Sequence, residues 1–127
     1  MKNKACFLAL TIFSIFLFSC QNEKKPDKVL RHVVMFGFKP EVTPEQVKEI
    51  EDAFGKLPDQ IKEIKDYEWG VDCSPEGLQK GLSHCFFVTF FSDADRDTYL
   101  THPAHKAFGK IINGKVEAVT VVDYWTK

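Results

Sequence analysis

Apolar residues form runs of strand length at four places along the chain, and each run predicts a β-strand. The runs are rich in Val, Phe, Tyr and Trp, the residue types that fit a pleated and half-buried surface. The predicted strands cover residues 29–38, 67–71, 83–91 and 116–125. The first and third runs are apolar at both parities, so we expect both faces of the sheet to be covered.

Helical patterns separate these strands. Thr43 precedes Pro44, and Gln46 stands three positions after Thr43, which predicts a capped helix start. The residues expected to face the sheet from this helix are Val47, Ile50, Phe54 and Leu57, and Pro58 is expected to end it. A capping-box variant at residues 92–95 predicts a second helix through Leu100, and Pro103 restarts helical structure through about residue 112.

The order of these elements, β-α-β-β-α-β, predicts the ferredoxin-like arrangement of the α+β class. Two helices cover one face of a four-stranded sheet, and the other face would then expose a large apolar patch. We therefore predict a homodimer in which two sheets pack face to face and enclose a barrel-like interior.

The first segment has the features of a targeting signal. Lys2 and Lys4 precede an apolar run at residues 7–18, which is too short to span a bilayer comfortably and has the proportions of a secretory signal. Leu17-Phe18-Ser19-Cys20 resembles a lipobox, which predicts a bacterial lipoprotein signal peptide at residues 1–19 and lipid attachment at Cys20. An ordinary signal peptide and an uncleaved anchor are the alternatives.

Residues 20–27 are predicted to form a polar tether, and residues 28–127 have the size of one domain. The lipid would anchor this domain to a membrane of the bacterial cell envelope. We expect this membrane to be the outer membrane. The formal net charge of −1 provides no basic field, so no nucleic-acid partner is expected. Cys73 and Cys85 flank a predicted turn and could form a bridge, although Cys85 lies in an apolar strand where a free thiol packs well. Two free thiols are favoured.

The segment His102-Pro103-Ala104-His105 carries the candidate chemistry. It places two imidazoles three residues apart at a helix start, with Tyr99 just upstream, which suggests a small-molecule pocket with acid–base capacity. In the alternative interpretation, His102 caps the helix and His105 lies on the surface. His32 and His84 lie in Phe-rich strands, where an unpaired polar ring is costly. Each should therefore be hydrogen-bonded, to the other or to a backbone carbonyl.

Several blocks of sequence, in order, resemble the stress-responsive A/B barrel (Dabb) family from about residue 29 to residue 125. They read LRHVVMFGFKP, WGVD, GLSHCFFVTF, DTYLTHPAHKAFG and VVDYW. The resemblance implies a dimeric α+β barrel with a ligand cavity on the inner face of each sheet. A plant member of that family closes a linear polyketide thioester by an aldol-type bond. Its proposed catalytic histidine and tyrosine match His105 and Tyr99, and its further pocket histidines match His32 and His84. Phe36 and Phe86, on the same strands, would line the pocket.

This chemistry requires a base that removes a proton beside a carbonyl and a donor for the developing oxyanion. The dipole at a helix start would favour the neutral form of His105. Three functions remain open. They are a lipid-anchored homodimer that binds a small apolar or aromatic molecule, a cofactor-free lyase or cyclase with His105 as base and Tyr99 as donor, and a structural or interaction module with a filled barrel. No metal or other cofactor is expected, because His102 and His105 supply at most two ligands and no Cys or carboxylate stands at signature spacing.

Overall fold

The computed structural model describes residues 24–127. The predicted signal peptide, Cys20 and the first part of the tether lie outside the described residues. The elements are β1 (Leu30–Phe38), α1 (Pro44–Gly55), α2 (Leu57–Gln60), β2 (Asp66–Val71), β3 (His84–Phe90), α3 (Asp93–Thr101), α4 (Pro103–Ile112) and β4 (Val116–Trp125). None of the described helices is both long and apolar enough to cross a membrane.

The four strands form one antiparallel sheet in the order β2-β3-β1-β4. Buried side chains of α1, α3 and α4 join those of β1 and β3 in a single core, so the helices pack against one face of the sheet. This arrangement confirms the predicted ferredoxin-like α+β fold.

Two helix starts follow the predicted capping chemistry. Gln46 donates its backbone N–H to Thr43 Oγ1 at 3.3 Å, and the Thr43 N–H donates to the Gln46 side chain at 2.9 Å, so the capping box is complete. Ser92 Oγ accepts the backbone N–H of Asp95 at 3.0 Å and caps α3. These bonds satisfy backbone donors that would otherwise lack partners in the first turn.

The end of α1 differs from the prediction. The helix ends at Gly55, and Leu57 and Pro58 open the separate short helix α2 instead of closing α1. The reason is that proline needs no N–H partner in the first turn of a helix and is accommodated there. Leu57 still turns into the core, where its side chain is 1% exposed.

Aromatic rings fill the space between the sheet and the helices. Phe54 of α1 stacks on Phe86 of β3 with ring centroids 4.2 Å apart. Phe36 lies 5.5 Å from Phe86 and 6.2 Å from Phe108 of α4. Phe36 and Phe86, the predicted lining residues of a ligand pocket, are therefore packed core residues with exposed fractions of 2% and 0%.

The two faces of the sheet carry different residues. His32 pairs with Val88 and Phe36 pairs with His84, which puts both histidines on the helix-covered face. The open face carries apolar side chains, among them Val33, Met35, Phe87, Val122 and Tyr124, together with the polar residues Arg31, Glu68 and Thr89. The histidines thus lie beneath the helices and do not face the barrel interior, where the resemblance had implied a ligand cavity.

The connection between β2 and β3 folds back over one end of the sheet. A Cβ atom on Gly37 would lie 2.3 Å from the carbonyl oxygen of Gly81, so only glycine allows this close approach. Together, the connection and the sheet enclose an open groove of about 600 Å³, which we call the sheet-end groove. Its walls include Met35, Val71, Leu78, Leu82, Ser83 and His84.

Candidate functional site

Three of the predicted site residues meet between the sheet and helices α3 and α4. The rings of Tyr99 and His105 have centroids 4.4 Å apart, and the ring of His32 lies 5.4 Å from that of Tyr99. Tyr99 is 1% exposed and His32 is 4% exposed. We call these residues, with Tyr67 and Asp123 described below, the polar cluster.

The segment between α3 and α4 sets the geometry of Tyr99 and His105. His102 caps α4, since its Nδ1 accepts the backbone N–H of Ala104 at 3.1 Å, and its own N–H donates to the Tyr99 carbonyl at 3.1 Å. The alternative interpretation is therefore correct for His102. It is wrong for His105, which is half-buried against Tyr99.

His105 is arranged as a neutral base. Its Nδ1 lies 3.2 Å from the Leu100 carbonyl oxygen, which can only accept, so Nδ1 carries the proton and Nε2 keeps its lone pair. Burial lowers the pKa of His105 below the ordinary value of 6.5, and the nearby His32 lowers it further, against the opposing effect of the Leu100 bond. The neutral form is thus favoured mainly by burial, whereas the sequence pointed to the helix dipole.

His32 is held by a carboxylate. Its Nδ1 lies 2.6 Å from Oδ1 of Asp123 on β4, and the second carboxylate oxygen lies 3.4 Å from Nη1 of Arg96. In the neutral ring, Nδ1–H donates to Asp123 and Nε2 remains an acceptor. The expected hydrogen bond of His32 is therefore present, but its partner is a carboxylate and neither His84 nor a backbone carbonyl.

Two tyrosines supply hydroxyl groups. Burial, with smaller effects of Tyr67 and Asp123, raises the pKa of Tyr99, so its phenol stays protonated and able to donate. Burial and the nearby Glu51 raise the pKa of Tyr67 to about 12. The Tyr67 hydroxyl is buried and has no hydrogen-bond partner among residues 24–127. Such a group is rare in folded proteins and calls for an explanation such as a bound molecule.

His84 lies apart from the polar cluster. It pairs with Phe36, four residues along β1 from His32, which corresponds to about 13 Å at about 3.3 Å per residue. Its Nε2 lies 3.0 Å from Glu51 Oε1 of α1, and its Nδ1 lies 2.8 Å from Ser83 Oγ. The four polar residues predicted to share one pocket therefore belong to two separate groups.

Asp123 and Glu51 are not among the predicted site residues, although the sequence around each contains an indication of a buried partner. Asp123 interrupts an apolar strand, and an acidic residue in such a place usually has a partner. Glu51 stands four residues after Val47 and three before Phe54, so it occupies a position on the core-facing side of α1. A carboxylate in that position predicts a buried polar contact.

Within residues 24–127, no three His, Cys, Asp or Glu side chains come together in a way that could hold a metal ion. Cys73 and Cys85 are both free, as predicted.

Comparison with known proteins gives one family and several relatives. The model of the "Stress responsive A/B Barrel Domain" (Dabb) family matches residues 30–126. The stress-response A/B barrel domain-containing protein HS1 of Arabidopsis thaliana is 37% identical over 95 residues, which are 75% of this chain and 87% of the relative. Olivetolic acid cyclase of Cannabis sativa is 32% identical over 95 residues, which are 75% of this chain and 94% of the cyclase.

Solved structures show the same fold. The hydroxynitrile lyase from Passiflora edulis superposes with a TM-score of 0.75 and 28% identity, over 80% of this chain and 96% of the enzyme. A dimeric ferredoxin-like protein of unknown function from Thermobifida fusca superposes with a TM-score of 0.67 and 27% identity, over 76% of this chain and 90% of that protein. These matches span nearly the whole length of both solved chains.

Proposed function

This chain belongs to the stress-responsive A/B barrel (Dabb) family, and we propose that it is an enzyme of the lyase or cyclase type. Its substrate is a small, largely apolar carbonyl compound or a hydroxyl adduct that releases one, and its own side chains supply the acid–base chemistry. The observation that carries this proposal is the contact between His105, whose pKa is lowered by burial, and the buried phenol of Tyr99. Two similar proteins are named as a cyclase and a hydroxynitrile lyase, which supports this class of reaction.

The proposed roles follow from the protonation states. Nε2 of His105 has a free lone pair and accepts a proton from the carbon beside a carbonyl, or from a hydroxyl group on the reacting carbon. The phenol of Tyr99 donates a hydrogen bond to the oxygen that gains negative charge. A dry site strengthens both interactions, because charges interact more strongly where water is excluded.

Further residues of the polar cluster position the substrate. The Tyr67 hydroxyl, which has no partner among residues 24–127, hydrogen-bonds to a polar group of the bound molecule. Phe90, whose ring lies 5.2 Å from that of Tyr99, contacts the apolar part. Asp123 fixes the tautomer of His32, so that Nε2 of His32 faces the site as a second acceptor.

The proposal is tested by turnover of two substrate classes. Purified protein is mixed with a panel of aliphatic and aromatic hydroxynitriles, with release of aldehyde as the signal, and with a linear β-polyketo thioester, with ring closure as the signal. We expect turnover of at least one compound. His105→Ala should lower the rate by about 10²–10⁴-fold, and Tyr99→Phe by about 10²–10³-fold.

His102→Asn provides the matched control, because asparagine caps a helix well and His102 lies outside the polar cluster. This variant should keep the wild-type rate. Saturable binding of the same compounds without turnover, unaffected by Tyr99→Phe, would favour a binding module over an enzyme. Neither binding nor turnover would favour a structural module in which the histidines serve the fold.

The functional unit in this proposal is a homodimer. It is supported by the dimeric relatives and by the apolar open face, where Val122 is 47% exposed and Tyr124 is 45% exposed. Sedimentation velocity tests it, with Val122→Asp expected to shift the protein to a monomer. Val119→Asp is the control, since Val119 is similarly exposed on the same strand but lies on the opposite face. A monomeric wild type, or equal effects of both variants, would contradict the arrangement.

The proposal places this domain at a bacterial membrane through lipid on Cys20. The support is the apolar run at residues 7–18 and the lipobox-like residues that follow it. Expression of the full chain in a bacterium, with metabolic labelling by a fatty acid, should give labelled protein in the membrane fraction. Cys20→Ser should be unlabelled and leave that fraction. Labelling that survives this substitution would contradict attachment at Cys20.

A further inference from the structure

We infer that Ser83, His84 and Glu51 form a second reactive site, in which Ser83 is a nucleophile for esters of apolar acyl chains bound in the sheet-end groove. None of these three residues belongs to the polar cluster, and the inference does not depend on the proposed lyase or cyclase activity.

The three side chains form a continuous chain of hydrogen bonds. Ser83 Oγ lies 2.8 Å from Nδ1 of His84, and Nε2 of His84 lies 3.0 Å from Oε1 of Glu51. The imidazole is 8% exposed and lies near two aromatic rings, that of Trp69 parallel to it at 6.3 Å and that of Phe38 edge-on at 4.9 Å. A nucleophile, a base and a carboxylate that orients the base are the three parts of an activated serine.

The direction of these bonds suits proton transfer. The Glu51 carboxylate can only accept, so in the neutral ring the proton lies on Nε2 and Nδ1 keeps its lone pair. Ser83 then donates its hydroxyl proton to Nδ1. The other acceptor of this hydroxyl, the Phe36 carbonyl, is farther away at 3.5 Å. Glu51 lies on α1 and contacts the imidazole of His84 on β3, which makes it a positioning residue for His84.

The sheet-end groove accounts for the class of substrate. Ser83 and His84 both line this groove of about 600 Å³, whose remaining walls include Met35, Val71 and Leu78. Those walls suit an acyl chain. The groove has no lysine–arginine cluster to bind an anion, and Lys80 is the one cation in its lining within residues 24–127.

The reaction is an acyl transfer. Ser83 Oγ forms a bond to the ester carbon while its proton passes to Nδ1 of His84. The bond from that carbon to the alkoxy oxygen then breaks, and the departing alcohol takes the proton from His84. Water attacks the acyl-serine in the same way, which releases the carboxylic acid and restores the Ser83 hydroxyl.

An alkyl fluorophosphonate tests the inference, because it reacts with activated serines and leaves a stable adduct that mass spectrometry can locate. We expect the purified full chain to be labelled at Ser83, and Ser83→Ala to react at least about 100-fold more slowly. Ser92→Gly is the control, since Ser92 lies outside the groove lining, has no histidine partner, and glycine replaces a capping serine with little loss of stability, so labelling should not change.

Glu51→Gln separates positioning from structure. We expect the maximal labelling rate to fall about tenfold or more while the half-saturating probe concentration stays the same, because Glu51 does not line the groove. p-Nitrophenyl butyrate should likewise give a burst of nitrophenolate that Ser83→Ala lacks. Labelling elsewhere, labelling unaffected by Ser83→Ala, or no labelling would overturn the inference. An unchanged maximal rate in Glu51→Gln would overturn the role of Glu51.

Discussion

Replacing Tyr67 by phenylalanine should stabilise the protein. The Tyr67 hydroxyl is buried and has no hydrogen-bond partner among residues 24–127. Folding therefore removes the water that hydrates this hydroxyl, and no hydrogen bond compensates for the loss. From substitutions in proteins, this cost is about 1–3 kcal/mol. The phenylalanine ring keeps the stacking on Phe54, whose centroid lies 5.7 Å away. We therefore expect the free energy of unfolding to rise by about 1–2 kcal/mol.

The gain is measured by urea unfolding and by thermal melting at one fixed protein concentration, since dimerisation makes the apparent stability depend on concentration. For a domain of this size, 1 kcal/mol corresponds to a rise in Tm of about 4–8 °C. Thr98→Val is the control, because Thr98 of α3 is exposed and its hydroxyl can meet water. Its unfolding free energy should stay within about 0.5 kcal/mol of the wild type. A loss of 1 kcal/mol or more in Tyr67→Phe would refute the reasoning.

Three further predictions concern packing, the polar cluster and pH. In urea unfolding, Gly37→Ala should lower the free energy of unfolding by about 1–3 kcal/mol, because its Cβ would clash with the carbonyl oxygen of Gly81. Gly55→Ala is the control, because no atom lies near a Cβ at that position, and this variant should be neutral or stabilising. Asp123→Ala should cost about 1–3 kcal/mol because it leaves the buried ring of His32 without its partner, and Asp123→Asn should cost less. The pKa of His105 is lowered in the folded state, so as the pH falls the unfolded chain binds the proton at a higher pH than the folded protein does. The free energy of unfolding should therefore decrease from about pH 7 to about pH 5.5, and the decrease should be smaller in His105→Gln.

The fold could be predicted because its local signals agree with one another. The Thr43 capping box, the Ser92 cap and the alternation of strands and helices all appear as expected. The boundary at Leu57–Pro58 was missed because Pro58 fits the start of a helix as well as its end. A local pattern cannot distinguish these two uses of proline.

The site was only partly predictable, since its bonds join residues that are far apart in the sequence. His32 and Asp123 are 91 positions apart, and Glu51 and His84 are 33 positions apart, so no local motif links either pair. The first and third strands are apolar at both parities, which leaves open which face the helices cover. His32 pairs with Val88 and His84 pairs with Phe36, so the register of β1 and β3 keeps the two histidines apart. The local sequence of a strand does not determine that register.

The central claim is that His105 is a neutral base beside a phenol donor, and nitrogen-15 NMR of the histidine side chains tests it most directly. We expect that near neutral pH the ring of His105 carries its proton on Nδ1 and that its pKa lies below the ordinary 6.5. His105→Gln identifies the signal by removing it. A pKa at or above 6.5 would contradict the effect of burial on His105. A proton on Nε2 at neutral pH would contradict the role as base, because Nε2 would then lack the lone pair that accepts a proton.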